Sequence, residues 1–517
     1  MPGAGPDPAA VRHTVTDTAG GDDGAGAVAR RQPAGTPARP PSGALDRYFS
    51  ISARGSTVAR EVRGGLVTFI TMVYIVVLNP LIIGTAKDAT GHYLGGSTQA
   101  PDLAAVAAVT ALVAAVMTLI MGAVARYPFA LATGLGLNAF VTFQVASVMS
   151  WQAAMGLVVI EGLVICLLVV TGFRTAVFRA IPAPLKSAIA AGIGLFIALI
   201  GLVDAGFVRR GTGTPVDIGI GGHLNGWPTL VFVLGVLLIS VLMVRRVKGA
   251  ILIGILACTV LAVIIESVAH LGAQSDDNPT GWALNVPTLA GKSVGPPDLH
   301  LLGQFSLGGG FSTVGVISAV VLVFSLVLSD FFDVMGTTIG LATEARLLDE
   351  DGQLPRIGTV LFIDGAAAVA GGAGSASSAT TYVESASGIG DGARTGLASI
   401  VTGLLFVVVM FASPLAALVP SEAAAPALVV VGVLMMAQVR HIDWTDFTIA
   451  FPAFLTVVLM PFTYSITNGV GAGFISYVVL ACATGRARQV HPLLWVVSLF
   501  FLAYFALTPI RHLFGIG

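Results

Sequence analysis

From Gly64 onward the chain is a succession of apolar stretches, each about as long as the roughly 20 residues a helix needs to cross a bilayer, separated by short polar punctuation. No other feature limits its fold so strongly. In hydrocarbon every backbone amide must be satisfied internally, so a repeated pattern of this length dictates a bundle of helices. Of 517 residues, 55% are hydrophobic and 10% charged. A soluble domain carries about 25% charged residues, and a soluble enzyme is thereby excluded. A net charge of -1 offers nothing to nucleic acid. Cys166, Cys258 and Cys482 lie far apart in apolar runs, forming neither a disulfide framework nor a metal cluster. No cofactor or metal site is expected. Residues 1–45 are rich in Gly, Ala, Pro and Asp and read as a disordered tail without a signal peptide.

Spans are expected near 64–84, 103–125, 128–149, 151–172, 186–203, 228–245 and 248–270. After a polar loop, a second series runs near 313–343, 356–372, 376–389, 393–413, 424–439, 446–463 and 466–484, leaving one apolar stretch at 491–510. Two series of seven suggest a duplicated unit whose copies have opposite orientation. TFITMVYIVVLNPLIIG (68–84) echoes VFSLVLSDFFDVMGTTIG (323–340), and KGAILIGILACTVL (248–261) echoes NGVGAGFISYVVLA (468–481). The organisation read from this is a tail (1–45), a first repeat (46–270), an extracytoplasmic loop (271–312), a second repeat (313–485) and a C-terminal segment (486–517). Arg54, Arg60, Arg63, Arg174, Arg179, Lys186, Arg245, Arg246, Lys248, Arg346, Arg356, Arg394, Arg440, Arg486 and Arg488 all fall on one side. The positive-inside rule makes that side, and the N-terminus, cytoplasmic; Arg209 and Arg210 are the one adjacent basic pair opposite.

Chemistry is expected where the apolar rule breaks, because unpaired polar groups in lipid cost several kcal/mol. ATGLGLNAF (132–140) interrupts the third span and AGGAGSASSATTYVES (370–385) the tenth, at matching places in the two series. Paired broken spans point to a binding site at mid-membrane, lined by free backbone groups and half-helix N-termini. In SDFFDVMGTTIG (329–340), Asp330 and Asp333 share a helix face with Thr337, and no basic residue occurs in 313–345. Two acids so close imply a water-lined interior, proton exchange, or both. Glu384 in the tenth span is a third acid.

ATGLGLNAF, LSDFFDVMGTT, TTYVESASGIGDGARTG and PALVVVGVLMM resemble the nucleobase–cation symporters, in the AzgA-like branch of guanine/hypoxanthine permeases. REVRGGLVTFITMVYIVVLNPLII and PAFLTVVLMPFTYSITNGVGAGFISY agree, so the resemblance covers about 60–485. Leu135 stands where that family usually has methionine between the two glycines. The resemblance implies fourteen transmembrane helices in two inverted seven-helix repeats, forming a core domain that moves against a gate domain. It implies proton-coupled uptake of hypoxanthine and guanine, with adenine a further candidate, across the cell membrane, the proton being the coupling ion, with no enzyme activity. It places the base among Asn138, Asp330, Asp333 and Glu384. Guanine presents N1–H and an amino group side by side for one carboxylate, whereas hypoxanthine presents N1–H beside O6. Glu384 or Asp330 suits the donors, Asn138 or a backbone N–H suits O6, and Asp330 and Asp333 suit the proton. Adenine, lacking N1–H, is expected to be a poorer substrate. Phe140, Phe331 and Tyr382 offer a face for the ring, and Thr381 can line the site. Partners are then the base and the bilayer, with a homodimer left open.

Asp364 neighbours the tenth span, and Glu161 and Glu266 read as interhelical hydrogen-bonding groups. The histidines fall in the tail or near loops and suggest no ligand set. Gly134, Gly136 and Ala139 match a dinucleotide fingerprint only formally, without a preceding strand. Two other functions compete: a channel or other solute carrier on a related fold, and an intramembrane aspartyl protease. The protease would need Asp391 of GIGD (388–391) buried beside Asp333.

Overall fold

The computed structural model describes residues 43–172, 181–211, 213–288, 294–349 and 353–506, with only the backbone of Phe332. The tail to residue 42, Arg174, Arg179 and the last apolar residues from 507 lie outside the described residues. Among the described residues nine helices are long and apolar enough to cross a membrane. They are spans 1 (Val58–Gly84), 2 (Leu103–Ala125), 4 (Trp151–Val170), 5 (Ala183–Asp204), 6 (Trp227–Val244), 7 (Ala250–Ala269), 8 (Val316–Glu344), 12 (Ser421–His441) and 14 (Ile466–Ala483). Shorter helices Ile357–Ala373, Gly396–Met410 and Phe447–Phe462 supply spans 9, 11 and 13.

Spans 3 and 10 are discontinuous. Span 3 is a strand, Leu131–Thr133, followed by a helical segment, Leu135–Val148. Span 10 is a strand, Ala379–Thr381, followed by the helix Ser385–Gly390. The two strands pair antiparallel, Leu131 opposite Thr381 and Thr133 opposite Ala379. Sequence explains both breaks. Arg126, left-handed at φ 63°, and Pro128 stop the helix before span 3, and Gly134 restarts it. After span 9, buried Ser375 and Ser377 adopt left-handed φ of 54° and 71°, turning the chain into the strand.

Spans 1–4 pack with 8–11 as one group, and 5–7 with 12–14 as another. Exchanging the repeats turns the contact of span 2 with 11 into that of span 9 with 4, and span 1 with 10 into span 8 with 3; all four contacts exist. This is the 7+7 inverted-repeat fold, with its core and gate domains. Helices approach closely at small residues: a Cβ on Gly64 would lie 2.6 Å from that of Ala393, and one on Gly194 2.6 Å from that of Met435.

Core and gate are tied at both faces. On the basic face Asp391 accepts from Arg63 of span 1 at 2.5 Å and pairs with Lys248 at the start of span 7. The Lys248 hydrogen bond, backed by the charges of Lys248 and Arg63, holds the Asp391 carboxyl below the usual carboxylate range. On the opposite face Gln144 Oε1 accepts from Ser465 Oγ at 3.0 Å and the Thr467 N–H at 3.2 Å. There Tyr464 packs edge-on against Phe143 and Phe196, at 5.3 and 5.2 Å.

Glu266 differs from the interhelical role expected of it. It accepts from the Leu271 N–H at 3.0 Å and Trp282 Nε1 at 2.8 Å, closing its own helix end and pinning the loop beyond. The last apolar stretch forms a helix over Pro492–Phe505, 14 residues packed on spans 8 and 14. At 1.5 Å per residue it is about 21 Å long, short of the roughly 30 Å of a hydrocarbon core.

Candidate functional site

The paired strands carry Thr381 and run on into Tyr382 and Glu384 of span 10 and Asn138 of span 3, and span 8, with Asp330, packs against both broken spans. Strand pairing continues on either side, with Tyr382 N–H donating to the Ala130 carbonyl at 2.9 Å and Gly134 N–H to that of Ser378 at 3.0 Å. Because the pair is enclosed by protein, its non-helical backbone is tolerated at membrane depth. Tyr382 Oη donates to the Thr133 carbonyl at 2.9 Å, locking one strand onto the other. Thr381 donates twice to Asp364 Oδ1, from its N–H and its hydroxyl, each at 2.8 Å. Span 9 therefore holds the tenth-span strand through a buried carboxylate. Glu161 of span 4 does the same more weakly, accepting from Ser378 Oγ at 3.3 Å.

The acids divide by access. Asp330 has no exposed surface, and among the described residues neither carboxylate oxygen makes a well-formed hydrogen bond, the Thr380 hydroxyl being the one donor that acts on it. The groups acting electrostatically on it are Asp364, Glu161 and Asp333, all acidic. Asp333, one turn on, is exposed. With Gly336, Gly340 and Thr343 it forms an open stripe along span 8 towards Arg346, on the basic face. A Cβ on Gly336 or Gly340 would meet no atom within 4 Å. Val334, Thr338 and Leu341, on the other side of the helix, are buried. Glu384 is half-buried, and its charge acts on Tyr382 and is felt alongside that of Asp333.

Asn138 is fully buried; its Nδ2 donates to Thr133 Oγ1 at 3.4 Å and its Oδ1 lacks a partner. Phe140, Phe331 and Tyr382 are at most 6% exposed, so none offers an open ring face in this conformation. Thr381 is 2% exposed and committed to Asp364. The residues expected at the site are thus brought together. Of these, Asp333 is exposed and Glu384 half-buried, while Asn138, Asp330 and Phe140 are buried.

Tyr74 of span 1 escaped the sequence reading. It donates to Glu384 Oε1 at 2.5 Å, while Thr71 Oγ1 reaches the Glu384 carbonyl at 3.4 Å. Counting back offered a signal: Tyr74 stands ten residues before Gly84, as Asp330 stands ten before Gly340 in the echoing stretch. Asp391 is held in its surface ion pairs with Arg63 and Lys248, which removes it from the role of a buried protease aspartate. Elsewhere Asp102, Asp298 and His300 meet on the opposite face, the latter two exposed and Asp102 engaged in capping span 2.

Residues 59–471 match the Permease family defined as Xan_ur_permease. A guanine/hypoxanthine permease of Bacillus subtilis, PbuG, is 39% identical over 89% of this chain and 99% of its own. An adenine permease of Escherichia coli, AdeP, is 39% identical over 89% of this chain and 95% of its own. Among solved structures, the transmembrane domain of the cyanobacterial bicarbonate transporter BicA superposes with a TM-score of 0.55 at 15% identity, covering 80% of this chain and 96% of that one. Murine Slc26a9, an anion transporter in the inward-facing state, gives 0.55 at 13% identity over 82% of this chain and 68% of that one. The acidic residues sit on a fold shared with these carriers, and by its sequence the chain belongs to the Xan_ur_permease family of permeases, as a multi-pass membrane protein.

Proposed function

We propose that this permease carries purine nucleobases across the cytoplasmic membrane together with a proton, by alternating access. The observation that carries the reading is the half-buried Glu384 beside the strand crossing, with the exposed stripe of span 8 running from Asp333 towards the basic face. A carboxylate there accepts the ring N–H of hypoxanthine or the N1–H and amino group of guanine. The relatives named for guanine, hypoxanthine and adenine support a purine. Adenine, with its amino group but no N1–H, is expected to bind more weakly to an ionised Glu384. The positive-inside rule makes the basic face cytoplasmic, so the open path leads inward. The ties of Gln144 and Tyr464 close the opposite face, which favours a carrier over a channel.

Asp330, enclosed with unpaired oxygens and acidic neighbours, is the group whose proton state is sensitive to the bound base. Asp333 stands between it and the water path and relays the proton. On this reading Asp330 acts from behind the base instead of touching it directly. If base and proton favour each other's binding, the proton gradient drives accumulation.

The test is uptake of labelled hypoxanthine into proteoliposomes, with unlabelled purines and pyrimidines as competitors across pH. Saturable uptake that collapses with a protonophore and is displaced by guanine but not uracil is expected. Uptake indifferent to the protonophore would remove the coupling, and displacement by uracil alone would remove the purine.

A further inference from the structure

Tyr74 lies in the joint of span 1, between the helices Val58–Met72 and Ile75–Asn79, and is 1% exposed. Its hydroxyl reaches across to span 10 and donates to Glu384 Oε1 at 2.5 Å. The Glu384 backbone N–H and the charge of Asp333 also act on that carboxylate, while the Thr71 hydroxyl, bonded to the Thr68 and Val67 carbonyls of its own helix at 2.9 and 3.0 Å, approaches the Glu384 carbonyl at 3.4 Å. Span 1 therefore grips the side chain through Tyr74, and one of two carboxylate oxygens is already engaged before any base arrives.

A carboxylate takes two adjacent donors best when both oxygens are free, one N–H to each. We propose that Tyr74 is a specificity-determining residue, which by occupying Oε1 limits Glu384 to strong acceptance of a single donor. The inference rests on the purine reading above. Guanine, with N1–H and the amino group side by side, must share Oε1 with the phenol. Hypoxanthine, with N1–H alone, uses Oε2 and loses nothing. Tyr74 thus narrows the advantage guanine would have over hypoxanthine. Its position in the joint of span 1 also makes this acceptance depend on how spans 1 and 10 sit against each other.

The test is Tyr74→Phe, which removes only the hydroxyl, in purified protein reconstituted in liposomes. Labelled hypoxanthine is displaced by unlabelled guanine and by unlabelled hypoxanthine. Freeing one hydrogen bond to a charged group should raise the preference for guanine about tenfold relative to the unmodified protein. Thr71→Val loosens the same contact without freeing a carboxylate oxygen and should leave the preference unchanged. Affinities that shift together at a constant ratio in Tyr74→Phe would overturn the inference and leave a merely structural tyrosine. So would the same change of ratio in Thr71→Val. Should Tyr74→Phe fail to accumulate, Tyr74→His, which retains a donor, is expected to keep the original ratio, and a changed ratio would count against the inference. Displacement by neither purine in the unmodified protein would instead defeat the purine reading itself.

Discussion

The third and tenth spans share one backbone device and use it differently. Each begins as a short strand at the crossing and continues as a helix. The third carries an amide, Asn138, sealed completely and bonded to its own strand through Thr133. The tenth carries an acid, Glu384, half open and gripped by Tyr74 from another span. An inverted repeat makes the two backbones near-equivalent, and side chains make them unequal. On the proposed reading, the tenth span meets the base and the third holds the crossing in shape.

That contrast can be broken in order of effect. Glu384→Gln keeps the volume but turns one acceptor oxygen into a donor, and hypoxanthine uptake at low concentration should fall about 100-fold, consistent with losing charged hydrogen bonds. An equal loss from Asn138→Ala would erase the distinction between the spans. Asp330→Asn should come next: base binding measured without a gradient persists, while stimulation by an imposed pH gradient, about tenfold in the unmodified protein, disappears. Asn138→Ala should lower uptake by about tenfold or less, through a loosened crossing, and protect less against proteolysis. The smallest effect belongs to Lys248→Ala, about twofold in transport rate, because exposed ion pairs contribute little. Asp391 has a depressed pKa, so its tie with Lys248 is complete above the ordinary carboxylate range and is lost as pH falls through the depressed value. Transport by the variant should converge with that of the unmodified protein only under such acidic conditions.

The sequence made much of this legible, for identifiable reasons. Apolar length revealed fourteen spans because the bilayer imposes one thickness on all of them. ATGLGLNAF and AGGAGSASSATT announced the breaks because glycine and serine runs are poor lipid-facing helix. The register of Leu131 against Thr381 was not legible, since it is set between residues 250 positions apart by packing alone. Asp364 could be placed beside the tenth span from sequence, but its partner could not, because Thr381 lies on the next span, beyond a turn of left-handed serines. Tyr74 was hidden for another reason: a tyrosine in an apolar span reads as packing until its hydroxyl partner is located. Burial of Asp330 against exposure of Asp333 depends on which elements pack against the inner half of span 8, which helical spacing alone does not specify.

The crossing strands have a consequence for biogenesis. Leu131 already exchanges hydrogen bonds with the Thr118 hydroxyl of span 2, but the Gly134 N–H and the Ala130 carbonyl find their partners on span 10, at Ser378 and Tyr382, which the ribosome delivers some 250 residues later. Until then the earlier half holds an orphaned stretch of main chain in the lipid, so a nascent chain truncated before Ala379 should remain protease-sensitive near Thr133. Extending it past Thr381 should abolish that sensitivity, as the late-arriving segment closes the gap.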